Sequence, residues 1–269
     1  MKLSIITINY NNCIGLQRTI DSIVSQTWRD FEWIIIDGGS TDGSKELIEK
    51  YQNHFAYWCS EHDKGIYNAL NKGISHCNGG YISCMNSGDT FFENETLEKV
   101  FSVERKSDVL YGDTMQIYSD HTRMEHITDK IELYTFYNAN ICHQSMFIRT
   151  EILKEKGFDE SYKIAADFSR WVEAVYDGNS FQYVNLIVSQ FDKTGVSSMD
   201  KSLLDKEYER AFRKLFPDHV KMSMERIRTY EREYVWDPLI RYYLKPLEKK
   251  GNTAQAVTKF ILRILNKVF

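Results

Sequence analysis

Four short apolar segments in the first 90 residues each end abruptly in polar, acidic or glycine residues. They cover residues 3–10, 32–37, 55–60 and 81–85, and apolar side chains recur at helical spacing between them. Strands that alternate with helices of this length indicate βαβ units, and therefore an α/β fold with a mostly parallel central sheet flanked by helices. Ligands of such sheets bind at the carboxyl ends of the strands. The polar residues that follow each segment are the first candidates for a functional site.

The pattern changes in the second half of the chain. Residues 109–112, 145–148 and 181–191 are predicted to be extended, a hairpin turn is predicted at 118–121, and residues 168–175 carry a helical apolar face. From Lys201 onward the pattern predicts helices alone. We therefore expect a mixed α/β domain over residues 1–200 and a helical C-terminal extension over residues 201–269.

Composition limits the class of protein. A hydrophobic fraction of 42% in 269 residues is enough for a sizeable core. Five cysteines without a C-x-x-C pair indicate neither a disulfide framework nor a zinc site, so we expect a reduced, cytoplasmic protein. The strand predicted at Leu3 leaves no room for a signal peptide, and no apolar run approaches the roughly 20 residues that span a bilayer.

Charge is unevenly distributed along the chain. The net charge of -4 argues against general binding of nucleic acid. From Lys221 onward, however, 11 Lys and Arg stand against 5 Asp and Glu, which is a net charge of +6. The first 220 residues then carry -10.

Three of the strand ends carry groups that could bind a ligand. Asp37 begins a glycine-rich turn, and its carboxylate could accept hydrogen bonds from a base or ribose, or simply organise a capping turn. Asn68 and Lys72 share one face of a predicted helix, which could equally be a solvated face. Asp89 follows the fourth segment, where a carboxylate could hold a divalent cation or belong to an ordinary turn.

Taken together and in order, these motifs resemble those of the family 2 glycosyltransferases of GT-A fold, over about the first 195 residues. The motifs are residues 4–11, 37–42, 63–73 and 86–89. The resemblance implies a nucleotide-sugar-binding half at 1–112 and an acceptor-binding half at 113–200. It also implies an inverting hexosyl or N-acetylhexosaminyl transfer from a nucleotide-diphospho-sugar, most often a UDP-sugar. The acceptor would be a hydroxyl of a glycan or polyprenyl-linked lipid in cell-surface polysaccharide biosynthesis.

The resemblance assigns roles to individual residues. Asp37 would bind the base, Lys72 would lie near the phosphates, and Asp89 would hold Mg2+ or Mn2+ against the diphosphate. Many relatives carry two adjacent acids at this last position, and here Gly88 replaces the first. His143 and Gln144 resemble a pair near the donor diphosphate or acceptor in some branches, although a structural role for His143 is equally compatible. The implied nucleotide-sugar-binding residues are Thr7, Asn9, Asp37, Asp63, Asn68, Lys72, Asn86, Gly88 and His143.

Inverting transfer also needs a positioned base that takes the proton of the acceptor hydroxyl. In the family this base is an acid at the start of a helix, after a loop that resembles residues 157–160 here. Asp167 occupies the matching position, with Ala166 in place of one member of an acid pair. We therefore predict Asp167 as the base, in preference to Asp159, although Asp167 could also serve only to begin the helix.

The C-terminal residues 257–268 predict an amphipathic helix whose second face carries Lys259, Arg263 and Lys267. Such a helix could lie on an anionic membrane surface, which would suit a lipid-linked acceptor and a peripheral location on the inner face of the cytoplasmic membrane. It could equally pack on its own domain or on a second subunit of a homodimer.

Three other functions compete with glycosyl transfer. A non-catalytic nucleotide-sugar-binding protein would explain why Gly88 and Ala166 replace acids. A sugar nucleotidyltransferase would carry a Gly-rich loop with Arg or Lys near its first strand, and residues 9–12 are not such a loop. A structural interaction module would explain only the C-terminal helix.

Overall fold

The computed structural model describes residues 2–193 and 200–230. Within these residues one sheet contains nine strands, in the spatial order β3-β2-β1-β4-β8-β6-β9-β5, with β7 paired to β6 outside this path. The strands are β1 (Leu3–Asn9), β2 (Phe31–Asp37), β3 (Tyr57–Ser60), β4 (Tyr81–Cys84), β5 (Thr90–Phe91), β6 (Val109–Ile117), β7 (Thr122–Glu125), β8 (Met146–Arg149) and β9 (Phe181–Asp192).

Helices connect most of these strands. They are α1 (Cys13–Val24), α2 (Ser44–Tyr51), α3 (Ile66–Ser75), α4 (Thr96–Phe101), α5 (Leu133–Asn138), α6 (Thr150–Lys156), α7 (Ala166–Tyr176), α8 (Lys201–Leu215) and α9 (Asp218–Tyr230). The helices predicted in the first 100 residues and at 168–175 are thereby confirmed in type and position, with their ends shifted by a few residues.

The first four strands form a parallel block, as the sequence predicts. Strand β1 lies between β2 and β4, and β3 pairs with the outer side of β2. In this register Asn9 is opposite Asp37, and Asp37 is opposite Ser60. Because the strands are parallel, their carboxyl ends meet at one edge of the sheet. The polar residues that follow them are brought together there.

Helices cover both faces of the parallel block. Leu3, Ile5 and Trp33 pack with Leu16 and Ile20 of α1 on one face. On the other face α3 approaches β1 so closely that a methyl group on Gly73 would lie 2.6 Å from the side chain of Ile6. Alternate residues of β1 therefore enter two different hydrophobic layers.

The second half of the sheet is mixed. Strand β8 runs antiparallel to both β4 and β6, whereas β9 is parallel to β6 and antiparallel to β5. The hairpin predicted at 118–121 is confirmed, because β6 and β7 pair in an antiparallel register on either side of it. The strand predicted at 109–112 extends to Ile117. Thr114 and Gln116 in this extension are buried although they are polar, so the apolar pattern in the sequence did not predict it.

The chain divides into two compact units, Met1–Leu215 and Phe216–Phe269, so that α8 belongs to the first. The amphipathic helix predicted at 257–268 lies outside the described residues. In the part of the chain that the structure describes, no helix combines the length and apolarity needed to cross a membrane. The five cysteines, all in described positions, are free.

Candidate active site

Asp37 ties together the carboxyl ends of three strands. It is 0% exposed, and both of its carboxylate oxygens accept hydrogen bonds. The Asn9 amide donates to Oδ1 at 2.8 Å, the Ser60 hydroxyl donates to Oδ2 at 2.7 Å, and Ser40 donates from both its backbone nitrogen and its hydroxyl. Burial opposes ionisation, but these hydrogen bonds outweigh it and lower the pKa of Asp37 below its usual value. The Asp37 carboxylate therefore holds the ends of β1 and β3 and the loop after β2 together through hydrogen bonds.

Asn9 and Thr7 lie beside Asp37 on β1. The Thr7 hydroxyl is fully buried and accepts a hydrogen bond of 3.0 Å from the indole nitrogen of Trp33. The amide oxygen of Asn9 is also buried, and it has no hydrogen-bond partner among the described residues. Unpartnered buried acceptors are rare in folded proteins and require an explanation. Asn9 thus offers a ready acceptor next to the Asp37 carboxylate.

The turn after β1 connects the loops that follow β2 and β4. The backbone nitrogen of Asn11 donates to the Ser40 hydroxyl at 2.8 Å, and the backbone nitrogen of Thr41 donates to the Asn11 side chain at 2.9 Å. On the other side, the Asn12 amide donates to the backbone oxygen of Ser87 at 3.1 Å. The loops after three neighbouring strands are therefore joined into one rim.

Asp89 lies on this rim and is 4% exposed. The Gln144 amide donates to its Oδ2 at 2.6 Å, and the backbone nitrogen of Asp192 donates to its Oδ1 at 3.0 Å. Burial raises the pKa of Asp89 to about 6, although both hydrogen bonds act in the opposite direction. Burial therefore makes the Asp89 carboxyl group harder to ionise than a carboxyl group in water.

Gly88 adopts a backbone conformation that side chains disfavour. Its φ of +106° is in the left-handed half of the conformational map. The hydroxyl of Thr19 accepts a hydrogen bond from the Gly88 nitrogen at 3.0 Å and donates one to the Asp89 backbone oxygen at 2.8 Å. The local backbone conformation thus favours glycine at position 88.

The side chains available as ligands around Asp89 limit which metal ion could bind there. Among residues 2–193 and 200–230 no group of three or more His, Cys, Asp or Glu side chains could hold an ion without other ligands. From the residues that the structure describes, each oxygen of Asp89 receives one hydrogen bond, which leaves a second lone pair for a cation. Mg2+ is commonly bound by one or two carboxylates together with phosphate oxygens and water. Asp89 fits a cation of that kind.

Asp167 is the second residue of α7, and two side chains hold its carboxylate. The Tyr67 hydroxyl donates to Oδ1 at 3.0 Å, and Nδ1 of His143 lies 3.0 Å from Oδ2. The other ring nitrogen of His143 lies 3.0 Å from the amide nitrogen of Asn86. With that amide as donor, Nε2 of His143 accepts a hydrogen bond and Nδ1 donates one to Asp167. Burial, together with the Asp167 charge, raises the pKa of Tyr67 well above its usual value, so Tyr67 stays a donor.

One short helical turn connects the two acids. His143 and Gln144 are adjacent in the turn His143–Ser145 just before β8, and they contact Asp167 and Asp89 respectively. Gln144 is the second member of the pair that the resemblance pointed to, whereas Tyr67 and Ser60 were not predicted as site residues. Tyr67 is next to the predicted residue Asn68 in the sequence, which is the one signal that pointed to it.

The remaining predicted residues come from the region of α3. Asp63 lies against the end of β2, because a methyl group on Gly38 would be 2.6 Å from its Oδ2. Asn68 donates to the Glu160 carboxylate at 3.0 Å, and the Lys72 amine lies 2.8 Å from the Glu61 carboxylate. Asp63 thus faces the Asp37 loop, while Asn68 and Lys72 contact acidic side chains.

Comparison with known sequences identifies related proteins. The sequence profile described as glycosyl transferase family 2 matches residues 4–174. An uncharacterized glycosyltransferase of Mycobacterium tuberculosis is 32% identical over 203 residues, covering 73% of this chain and 77% of the relative. A PGL/p-HBAD biosynthesis glycosyltransferase of Mycobacterium bovis is 27% identical over 213 residues, covering 76% of this chain and 81% of the relative.

Solved structures share the fold. S. aureus TarS 1-349 in complex with UDP-GlcNAc has a TM-score of 0.66 at 18% identity, covering 90% of this chain and 76% of that one. A longer TarS chain matches with a TM-score of 0.62, and there this chain spans only 37% of the other. Mannosyltransferase PcManGT from Pyrobaculum calidifontis, in complex with GDP-Man and Mn2+, has a TM-score of 0.60 at 15% identity, with coverage of 98% and 80%. The predicted GT-A fold is confirmed.

Proposed function

This chain belongs to glycosyl transferase family 2, and we propose that it is an inverting enzyme that transfers a sugar from a nucleotide-diphospho-sugar to a hydroxyl group. The observation that carries this proposal is the pair of hydrogen bonds by which His143 and Gln144 connect Asp167 with Asp89. A base and a cation-binding acid must lie near the same reacting bond, because one acts on the acceptor and the other on the leaving group. Here side chains from a single turn of the backbone contact both Asp167 and Asp89, which supports these two roles.

The donor is proposed to be a UDP-sugar that carries a hexosyl or N-acetylhexosaminyl group. Its nucleoside would lie over β1 and β2, where the free Asn9 oxygen can accept a hydrogen bond and Asp37 holds the loop in place. Thr7, Asp63 and Asn68 would complete that region, and Asn86 and His143 would lie near the sugar. Structures of S. aureus TarS with UDP-GlcNAc and of PcManGT with GDP-Man support a nucleotide-sugar, with UDP preferred here by resemblance.

The diphosphate is proposed to lie between Gly88 and Lys72. Glycine allows the backbone to approach a ligand closely, and the Lys72 amine could exchange Glu61 for a phosphate oxygen. Asp89 would hold Mg2+ or Mn2+, which would neutralise the charge that develops on the leaving diphosphate. The Mn2+ in the PcManGT structure supports this part of the proposal.

Asp167 is proposed to act as the base. It would take the proton of the acceptor hydroxyl while that oxygen forms its bond to the sugar carbon and the bond to the diphosphate breaks. Tyr67 and His143 each donate to one carboxylate oxygen, which fixes the direction of the remaining lone pairs. Asp167 also lies in the first turn of α7, a position in which acidic side chains are stabilising.

The acceptor is proposed to be a glycan or polyprenyl-linked lipid used in cell-envelope polysaccharide synthesis. In this arrangement residues 1–112 would bind the donor and residues 113–200 would bind the acceptor. Residues 257–268 would contact the inner face of the cytoplasmic membrane, or alternatively a second subunit, and they lie outside the described residues.

A donor screen tests the proposal. Purified protein is mixed with UDP-, GDP- and dTDP-sugars, with and without Mn2+, and both binding and release of the nucleoside diphosphate are measured. We expect binding of a UDP-sugar and slow release of UDP that depends on a divalent metal. Binding without any turnover, even with lipid-linked acceptors, would instead support a non-catalytic nucleotide-sugar-binding protein. Release of pyrophosphate from a nucleoside triphosphate and a sugar 1-phosphate would identify a nucleotidyltransferase.

A further inference from the structure

Helix α8 contributes a buried carboxylate to the segment that precedes Asp167. Glu207 is 6% exposed, and its side chain accepts three backbone hydrogen bonds. They come from the nitrogens of Lys163 at 2.8 Å, Ile164 at 3.0 Å and Ala165 at 3.0 Å. These residues immediately precede α7. Glu207 lies outside residues 4–174, the part of the chain that the family profile matches.

The three hydrogen bonds give a partner to backbone N–H groups that the start of α7 would otherwise leave unpaired. The first nitrogens of a helix, and those just before it, have no partner within the helix. Ala165 is fully buried, so its nitrogen would be left unpaired without Glu207. Hydrogen bonds to an ionised carboxylate are about twice as strong as neutral ones. Glu207 therefore fixes the backbone two residues before Asp167.

Other residues of α8 contact both sides of the same segment. The ring of Tyr208 stacks on Phe168 with 3.9 Å between centroids. Arg210 lies 4.2 Å from the ring centre of Tyr162 and donates to the Ser161 backbone oxygen at 3.2 Å. Side chains of α8 thus contact residues on both sides of Asp167 in the sequence, from Ser161 to Phe168.

We propose that Glu207 is a positioning residue for the transfer reaction. Its carboxylate holds residues 163–165, and the start of α7 in turn sets where the Asp167 carboxylate lies relative to the acceptor hydroxyl. Tyr67 and His143 can orient the Asp167 oxygens only if that backbone is fixed. An error of about 1 Å at a reacting group can cost about 100-fold in rate. The inference rests on the proposed role of Asp167 as the base.

The test compares Glu207→Gln with Glu209→Gln. The Gln amide group would place its own N–H atoms against backbone donors, so the three hydrogen bonds cannot all remain. Glu209 is exposed, is on the same helix and pairs with Arg213, so its substitution makes the same chemical change at the surface. Rates are measured as UDP release from the UDP-sugar that the wild-type protein turns over, and affinity is measured with UDP.

We expect Glu207→Gln to lower turnover by at least about tenfold, with the dissociation constant for UDP changed by less than about twofold. Hydrogen–deuterium exchange at residues 163–165 should become faster, while the parallel strands keep their protection. Glu209→Gln should match the wild-type protein in all three measurements. If Glu207→Gln does not fold, Glu207→Asp, which keeps the charge but is shorter by one methylene group, carries the same expectations.

Two results would overturn the inference. Turnover within about twofold of the wild-type rate would mean that the contact does not position the base, and a parallel loss of UDP affinity would assign Glu207 to general stability. A wild-type protein that turns over no nucleotide-sugar would instead overturn the proposed function, and this inference with it. Exchange at residues 163–165 would then still report whether the contact exists.

Discussion

Nδ1 of His143 lies 3.0 Å from Oδ2 of Asp167, although 24 positions separate the two residues in the sequence. The same imidazole reaches Asn86, which follows β4, and the next residue, Gln144, donates to Asp89. The turn before β8 therefore connects the amino terminus of α7 with the carboxyl end of the parallel block. Its role in the proposed mechanism is to keep the base and the cation-binding acid in fixed relation.

We predict that His143→Ala lowers turnover by about 10–100-fold and changes the affinity for UDP much less. Without the imidazole, the Oδ2 atom of Asp167 loses its protein donor, and the carboxylate can rotate away from the acceptor. Steady-state rates and equilibrium binding of UDP measure the two effects separately. The control is His121→Ala, an exposed histidine of the β6–β7 hairpin, which should behave as wild type. If His143→Ala weakened UDP binding as strongly as turnover, the main role of His143 would be to bind the UDP part of the donor and not to orient Asp167.

We predict that Gly88→Ala destabilises the protein by about 1–3 kcal/mol, because a side chain at a φ of +106° is strained. Chemical denaturation measures the change in the free energy of unfolding. Gly80→Ala provides the matched control, because the added methyl group would meet only an ordinary contact 3.5 Å from the Lys2 backbone oxygen. Equal free energies of unfolding for the two variants would show that the backbone conformation at position 88 does not require glycine.

We predict that Asp89 makes the metal-free protein less stable as the pH rises from about 4 to about 6. Burial raises the pKa of Asp89 from 3.8 to about 6, so the folded state holds the proton more tightly than the unfolded state does. Its favourable contribution is complete below pH 4 and is lost as the folded group ionises. Unfolding of wild type and Asp89→Asn in EDTA, compared from pH 4 to pH 7, should therefore show wild type losing about 1–3 kcal/mol relative to the variant. If the difference in unfolding free energy between wild type and Asp89→Asn stayed constant with pH, the prediction would be wrong.

Much of the first half of the fold follows from the sequence. Each apolar segment is long enough for one buried strand. Because a helix lies between successive strands, the chain crosses back over the sheet each time and the strands run parallel. That arrangement was sufficient to predict that the ends of β1, β2 and β4 share an edge. The second half is less regular, and the polar buried residues Thr114 and Gln116 hid part of β6.

The partners of the site residues were harder to predict. Tyr67 and Asp167 are 100 positions apart, and only the packing of α7 near α3 brings them into contact. The pairing of Lys72 with Glu61 likewise depends on how the β3–α3 loop returns along the helix. Asp167 itself came from resemblance, since an acid near the start of a helix is also a common structural feature. Glu207 gave no signal, because a glutamate in a charged helix is ordinarily exposed.

The most direct test of the proposed mechanism is Asp167→Asn, which keeps the shape of the side chain and removes its ability to accept a proton. We predict that the dissociation constant for UDP stays within about twofold of wild type while transfer falls by about 100-fold to 10,000-fold. Asp159→Asn, which alters the competing acid, should transfer normally. Normal transfer by Asp167→Asn, or loss of UDP binding in parallel with transfer, would contradict the assignment of Asp167 as the base.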